Sequence, residues 1–194
     1  MFETIKSNLL QIQEEIAPCK PRIIAVTKYF NEDAMVAAYK AGLRDFGESR
    51  VIEASAKIAN LPDDVKMNSR FHFIGHLQTN KVKQAIKVFE YIVQVNNANE
   101  EQKFGFSKDE VFQSFRQILD LDGIEVVGVM NMAPLGIPEE EIKKLFSEIV
   151  QIRDGLEQKF NCKLGEISMG MSQDYKIAAQ AGSTMLRIGR KLFR

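Results

Sequence analysis

Short apolar runs alternate with helix-forming stretches along most of this chain, and that alternation constrains the fold more than any other feature. "RIIAVTK" (22–28) leads into "NEDAMVAAYKAG", where Asn31 is suited to cap a helix and Gly42 to end it. "RDFGESR" (44–50) precedes "VIEASAKIAN", and "RFHFIGHL" (70–77) precedes "NKVKQAIKVF". "YIVQVNN" (91–97) passes through the polar loop 97–106 to a helix beginning near Ser107. "GIEVVGVMNM" (123–132) comes before a long helix from about Pro138 to Phe160. "GEISMGM" (165–171) runs into a helix placed from Ser172, and "TMLRIG" (184–189) supplies the last strand.

Seven strands separated by helices predict parallel strands joined by crossover helices, an α/β domain. Several strands are apolar at both parities, as expected where helices cover one face and neighbouring strands the other. No glycine-rich dinucleotide fingerprint follows the first strand and no P-loop occurs, which disfavours an open nucleotide-binding sheet. A (β/α)8 barrel is therefore predicted, one strand short of the full count. The chain has no internal repeat, low-complexity tract or linker, so residues 1–194 are expected to form a single domain.

Bulk properties narrow the partners. Lys+Arg and Asp+Glu balance at 26 each, so net charge points to neither nucleic acid nor an anionic membrane. No apolar run approaches the roughly 20 residues of a membrane span. The N-terminal stretch carries charges throughout and lacks a signal peptide's apolar core. Its Ile5, Leu9, Ile12 and Ile16 fall at helical spacing instead. Cys19 and Cys162 stand far apart, suggesting neither a zinc site nor a disulfide, and a cytoplasmic location is expected.

In parallel α/β folds reactive groups gather at the C-terminal ends of strands. Those ends carry Lys28, Glu48 to Arg50, His76, Asn96, Asn97, Asn131, Ser172 and Arg187 to Arg190. Lys28 shares its parity with Val26 and Ile24, so its stem leaves a side packed with branched residues. A lysine so placed either reaches water at the rim or acts as a desolvated amine, a nucleophile toward aldehydes. Spacing alone leaves the two readings balanced. His72 and His76 share a parity on the third strand, and each reads as a satisfied histidine more readily than as a metal ligand.

The closing strands add a second signal. Ser172 at a helix start and Gly189 directly after a strand are suited to an anion, and barrels often bind phosphate with their last two loops. An amine at one end of the chain and a phosphate cradle at the other suggest pyridoxal 5'-phosphate (PLP), which carries an aldehyde and a phosphate. Arg187 shares the parity of Gly189. It would hold the pyridine nitrogen unprotonated, or else pair with a buried acid such as Glu48.

These segments resemble the YggS/PROSC family of PLP-binding homeostasis proteins. The pieces that carry the resemblance are "IIAVTK", "FGESR", "FHFIGHLQTNK", "GVMNMAP" and "SMGMSQDYKIAAQAGSTMLRIGRKLF", in the family's order. The resemblance implies a barrel similar to the N-terminal domain of alanine racemase, with PLP held as a Schiff base on Lys28. It implies Arg187 near the ring nitrogen, and Ser172 with Ile188, Gly189 and Arg190 at the phosphate, Ser183 and Thr184 nearby. It further implies a carrier or buffer of PLP that influences amino- and keto-acid balance, without an established reaction. PLP and apo PLP-dependent enzymes would be its partners, and a monomer its state. The chain departs from the family at Ser49, where Asn is usual, and at about Ile92–Val93, where a strand and helix are missing. The alternative is a PLP-dependent amino-acid racemase, which needs a second acid/base on the far face of the ring. Neither Tyr29 nor Tyr175 matches that role, and the chain ends soon after its last strand. A barrel in which Lys28 is only a rim residue is the third reading.

Overall fold

The computed structural model describes residues 1–75, 93–98 and 105–194. The first described elements are α1 (Phe2–Glu15), β1 (Arg22–Val26), α2 (Glu32–Lys40), β2 (Asp45–Glu48), α3 (Val51–Ala59), α4 (Asp63–Met67) and β3 (Arg70–Phe73). There follow β4 (Val93–Gln94), α5 (Lys108–Leu119), β5 (Gly128–Met130), α6 (Glu139–Phe160), β6 (Glu166–Ser168), α7 (Tyr175–Gln180), β7 (Met185–Ile188) and α8 (Arg190–Phe193). They divide into two compact units. The first is Met1–Ala17, Arg22–Glu90 and Arg187–Arg194; the second is Pro18–Pro21 and Tyr91–Leu186.

In the first unit β1 pairs with β2 and β2 with β3, all parallel, and Arg187 and Ile188 of β7 lie beside β1. Phe46 on β2 faces Phe71 on β3, their rings stacked with centroids 6.1 Å apart. α1 buries Ile5, Leu9 and Ile12, with Ile16 also buried just past its end, as the helical spacing predicts. Each fully buried side chain of this kind contributes about 1.5–3 kcal/mol. The capping of α2 is the predicted one: Asn31 Oδ1 accepts from the Ala34 N–H at 3.3 Å.

The N-terminal strand ends of this unit are closed by an ion cluster. Asp45 receives Arg70 Nε and Nη2, each at 2.8 Å, and His72 Nε2 at 2.8 Å, with Arg22 Nη1 at 3.9 Å. Burial pushes the Asp45 carboxyl up, but hydrogen bonds and charge from His72 and Arg70 outweigh it and hold the group well below the usual carboxylate range. His72 is thus the satisfied histidine that the sequence suggests.

In the second unit β4 pairs with β5 and β5 with β6, and Ser168 of β6 stands opposite Met185 of β7, again all parallel. α6 lays Phe146, Ile149, Ile152 and Leu156 into the core and ends at Asn161 in the left-handed region, φ 50°. α5 starts with a capping box, Ser107 and Glu110 satisfying each other's backbone N–H groups.

All seven predicted strands are present and the pairings within each unit are parallel, so the α/β reading holds; no eighth strand occurs among the described residues. Three details differ from expectation. The apolar stretch before Gly128 is not itself strand, although the Val127 carbonyl accepts from the Glu166 N–H at 3.0 Å, and α4 is too short to have left a periodic signal. α7 begins at Tyr175, three residues later than Ser172. The helix expected in "NKVKQAIKVF", His76, and the Ile92 side of the Ile92–Val93 junction lie outside the described residues. Among the described residues no helix is long and apolar enough to cross a membrane.

Candidate cofactor site

β1 stops at Val26 because the chain turns there. The Thr27 N–H still continues the ladder, donating to Gly47 O at 3.0 Å. The Thr27 carbonyl then accepts from the Phe30 N–H at 2.9 Å, closing a four-residue turn with Lys28 at its second position. A side chain at that corner leaves the strand's alternation, which resolves how a lysine can follow a buried apolar run. Lys28 is half-buried, and its ammonium lies 5.1 Å from the centre of the Tyr29 ring. Among the described residues it has neither a hydrogen-bond acceptor nor a carboxylate partner. Tyr29 itself is 84% exposed.

A buried polar group supports this turn from below. Glu48, the last residue of β2, accepts the Thr27 hydroxyl at 2.7 Å and the Lys57 ammonium, from α3, at 2.7 Å. Lys57 also donates to the Thr27 carbonyl at 3.0 Å. The side chains of Lys57 and Glu48 are only 12% and 4% exposed. Glu48 Oε1 thereby accepts both Thr27 and Lys57. Sequence reasoning named Glu48 but missed Lys57, nine residues further on in the last turn of α3.

Beside β1, Arg187 and Ile188 are buried at the end of β7, and Gly189 leads directly into α8. A Cβ on Gly189 would sit 3.4 Å from Val26 Cβ, so the backbone after β7 passes close to the end of β1. Arg190 opens α8, which α1 ties down: Asn8 Nδ2 donates to the carbonyls of Leu192 and Arg194 at 3.1 and 3.0 Å. Lys28, Arg187, Ile188, Gly189 and Arg190 thus all belong to the first unit.

Ser172, Ser183 and Thr184 belong to the second. Ser172 stands in a turn before α7 and does not cap it; the carboxylate of Asp174 accepts from the Met171 N–H at 2.6 Å and shapes that turn. Gly170 makes the turn possible, with φ 92° and Ala178 Cβ 2.4 Å from where a Cβ would stand. Two expectations need correction. Ser183 and Thr184 precede β7, at the opposite end of that strand from Gly189, and their hydroxyls are used locally. Ser183 Oγ reaches the Met169 carbonyl at 2.8 Å and the Met185 carbonyl at 3.0 Å. Thr184 Oγ1 donates to Glu166 Oε2 at 2.6 Å and accepts from the Ile167 N–H at 2.8 Å. Hydroxyls committed to the backbone and to a carboxylate are poor phosphate donors.

The residues of the first unit fit the chemistry of an aldehyde-bearing cofactor. A primary amine stands at a turn with no acid partner among the described residues, next to a strand that carries a buried arginine. Comparison with known proteins agrees. The "Alanine racemase, N-terminal domain" family matches residues 77–194. A curated relative from Synechocystis, named "Pyridoxal phosphate homeostasis protein", is 34% identical over 202 positions, covering 91% of this chain and 92% of the relative. The chain belongs to the pyridoxal phosphate homeostasis protein family. Among solved structures it is similar to PipY of Synechococcus elongatus without PLP, at 30% identity and TM-score 0.89, covering 98% of this chain and 100% of that one. The same protein with PLP bound matches at 28% identity, TM-score 0.84 and the same coverage. Its fold is therefore that of the alanine racemase N-terminal domain, α/β with parallel strands. The 202 aligned positions exceed the 194 residues of this chain, so the Synechocystis relative carries residues that this chain lacks within the matched region.

Proposed function

We propose that the protein binds PLP covalently through Lys28 and takes part in PLP homeostasis as a carrier or buffer of the cofactor. The observation that carries this reading is the Lys28 ammonium: half-buried, presented at a turn corner, and without an acid partner among the described residues. Once that ammonium gives up a proton to solvent, Nζ would bond to the cofactor's aldehyde carbon and the aldehyde oxygen would leave as water. PLP when bound would supply an electrophilic aldehyde and an electron-withdrawing ring. The protein's own part is to hold the amine ready and to frame the cofactor with Arg187, Ile188, Gly189 and Arg190. Ser172 joins that set on the resemblance alone.

The finer architectural reading goes with the function. Residues 1–194 act as one PLP-binding domain, a (β/α)8-type barrel with one βα unit shortened near Ile92–Val93. The surplus aligned positions of the Synechocystis relative support that shortening. The protein works in the cytoplasm as a monomer, and apo PLP-dependent enzymes receive its cofactor.

Reduction with borohydride tests the covalent link. Purified protein mixed with PLP should gain a visible absorption band, and reduction should leave one pyridoxyl group on the peptide containing Lys28. Lys28→Ala should lose both signals entirely. A colourless wild-type mixture with no label on that peptide would sink the reading. Exchange of the alanine α-proton in deuterated water at an enzyme-like rate would overturn the carrier role in favour of racemisation.

A further inference from the structure

We propose that Lys57 is a positioning residue for Lys28, acting through the peptide group between Thr27 and Lys28; the role rests on the covalent PLP reading above. A lysine and a glutamate this deeply buried are costly to desolvate, and burial of a charge pair does not by itself stabilise a fold. Where the Lys57 hydrogen bonds go shows what the pair does. Lys57 Nζ bridges Glu48 Oε1 at 2.7 Å and the Thr27 carbonyl at 3.0 Å. Glu48 Oε1 also accepts the Thr27 hydroxyl at 2.7 Å. Side chain and carbonyl of one residue are therefore gripped by one ion pair.

That residue opens the turn. The Thr27 carbonyl belongs to the peptide plane whose nitrogen is Lys28's, and it also accepts the Phe30 N–H at 2.9 Å. An ammonium on that oxygen fixes the plane, and with it the direction in which Lys28 leaves the backbone. The helix supplying Lys57 starts three residues after Glu48, so α3 and the end of β2 brace the turn from one short segment. The ion pair costs desolvation and returns it as an ordered amine. Preorganisation of this kind lowers the entropy lost when a ligand is captured.

The test separates ordering from stability. Lys57→Met alone strands the Glu48 carboxylate and so confounds ordering with stability; the decisive variant is Lys57→Met with Glu48→Gln. It removes both charges, keeps an acceptor for the Thr27 hydroxyl, and takes the cation off the Thr27 carbonyl. The expected result is a urea midpoint close to wild type, amide exchange at Phe30 about tenfold faster, and PLP binding about tenfold weaker. The visible band of the PLP-loaded protein should shift and broaden, and Lys57→Arg should restore exchange rate, affinity and band. Unchanged exchange at Phe30 would overturn the proposal. So would faster exchange with wild-type affinity and an unaltered band, which would make Lys57 purely structural. If wild-type protein takes up no PLP on Lys28, the cofactor reading falls separately, and the Phe30 exchange rates still decide whether Lys57 orders the turn.

Discussion

β2 carries a buried carboxylate at each end, and the two are satisfied in different ways. Asp45, the first residue, is surrounded by Arg70, His72 and Arg22. Arg22 and Arg70 open their strands and His72 lies two residues into β3, so this cluster gathers at the N-terminal side of the unit's strands. Glu48, the last residue, holds one cation among the described residues, Lys57, and accepts the Thr27 hydroxyl as well, so its network runs into the turn that presents Lys28. Parallel α/β folds separate stability at the N-terminal strand ends from chemistry at the C-terminal ends. Four residues of one strand reproduce that division here, and the comparison predicts that damage at the two ends will read out differently.

The largest effect is expected from Asp45→Ala. Removing the acid takes the Asp45 carboxylate from buried His72 and from Arg70, a loss of about 3 kcal/mol in unfolding free energy. PLP uptake per folded molecule should stay at the wild-type level. Urea melts combined with borohydride labelling of the folded fraction check both halves. An Asp45→Ala protein of normal stability, or one that fails to label while folded, would erase the distinction between the two ends.

A smaller effect follows from acid. The folded Asp45 carboxyl is held below its unfolded value of about 3.9, so the unfolded chain binds the proton more readily. The stability it contributes is therefore complete above that value and is lost as the pH falls through it toward the folded value. Between pH 5 and pH 2 that loss is on the order of 2 kcal/mol. Asp45→Asn, with no proton to gain, should show a correspondingly shallower fall in urea midpoint over the same range. A slope equal to wild type would place the acid sensitivity elsewhere.

How much of this was legible in the sequence differs between the two ends for a physical reason. Strands and helices carry periodicity in neighbouring residues, so β1 to β7, the Asn31 cap and the long α6 could be read directly. The alternation also marked Lys28 as anomalous. What it could not supply was the turn at Thr27–Phe30, because no glycine, proline or asparagine announces it. Lys57 was hidden for a related reason: four residues after Glu53 on a helix, it has the spacing of an ordinary surface ion pair, yet it points to Glu48. The resemblance sets Ser183 and Thr184 near the phosphate-binding residues, yet they precede β7. A four-residue strand spans roughly 13 Å and puts them at its far end.

The smallest predicted effect concerns Tyr29, the other residue at the corner of the turn. Its ring is exposed, and the Lys28 ammonium 5.1 Å from its centre is attracted to the π face. An exposed cation–π contact contributes only about 0.5–1 kcal/mol, and the ring buries little else. Tyr29→Ala should therefore leave the urea midpoint within experimental error. It frees the amine from the one group that touches it among the described residues, so PLP should be captured two- to fivefold faster, with the Phe30 amide exchanging as in wild type. Stopped-flow absorbance after mixing with PLP measures the rate. Slower capture would mean that the ring guides the lysine where it was expected to detain it, and the C-terminal end of β1 would then contain two positioning groups, Lys57 beneath the turn and Tyr29 upon it.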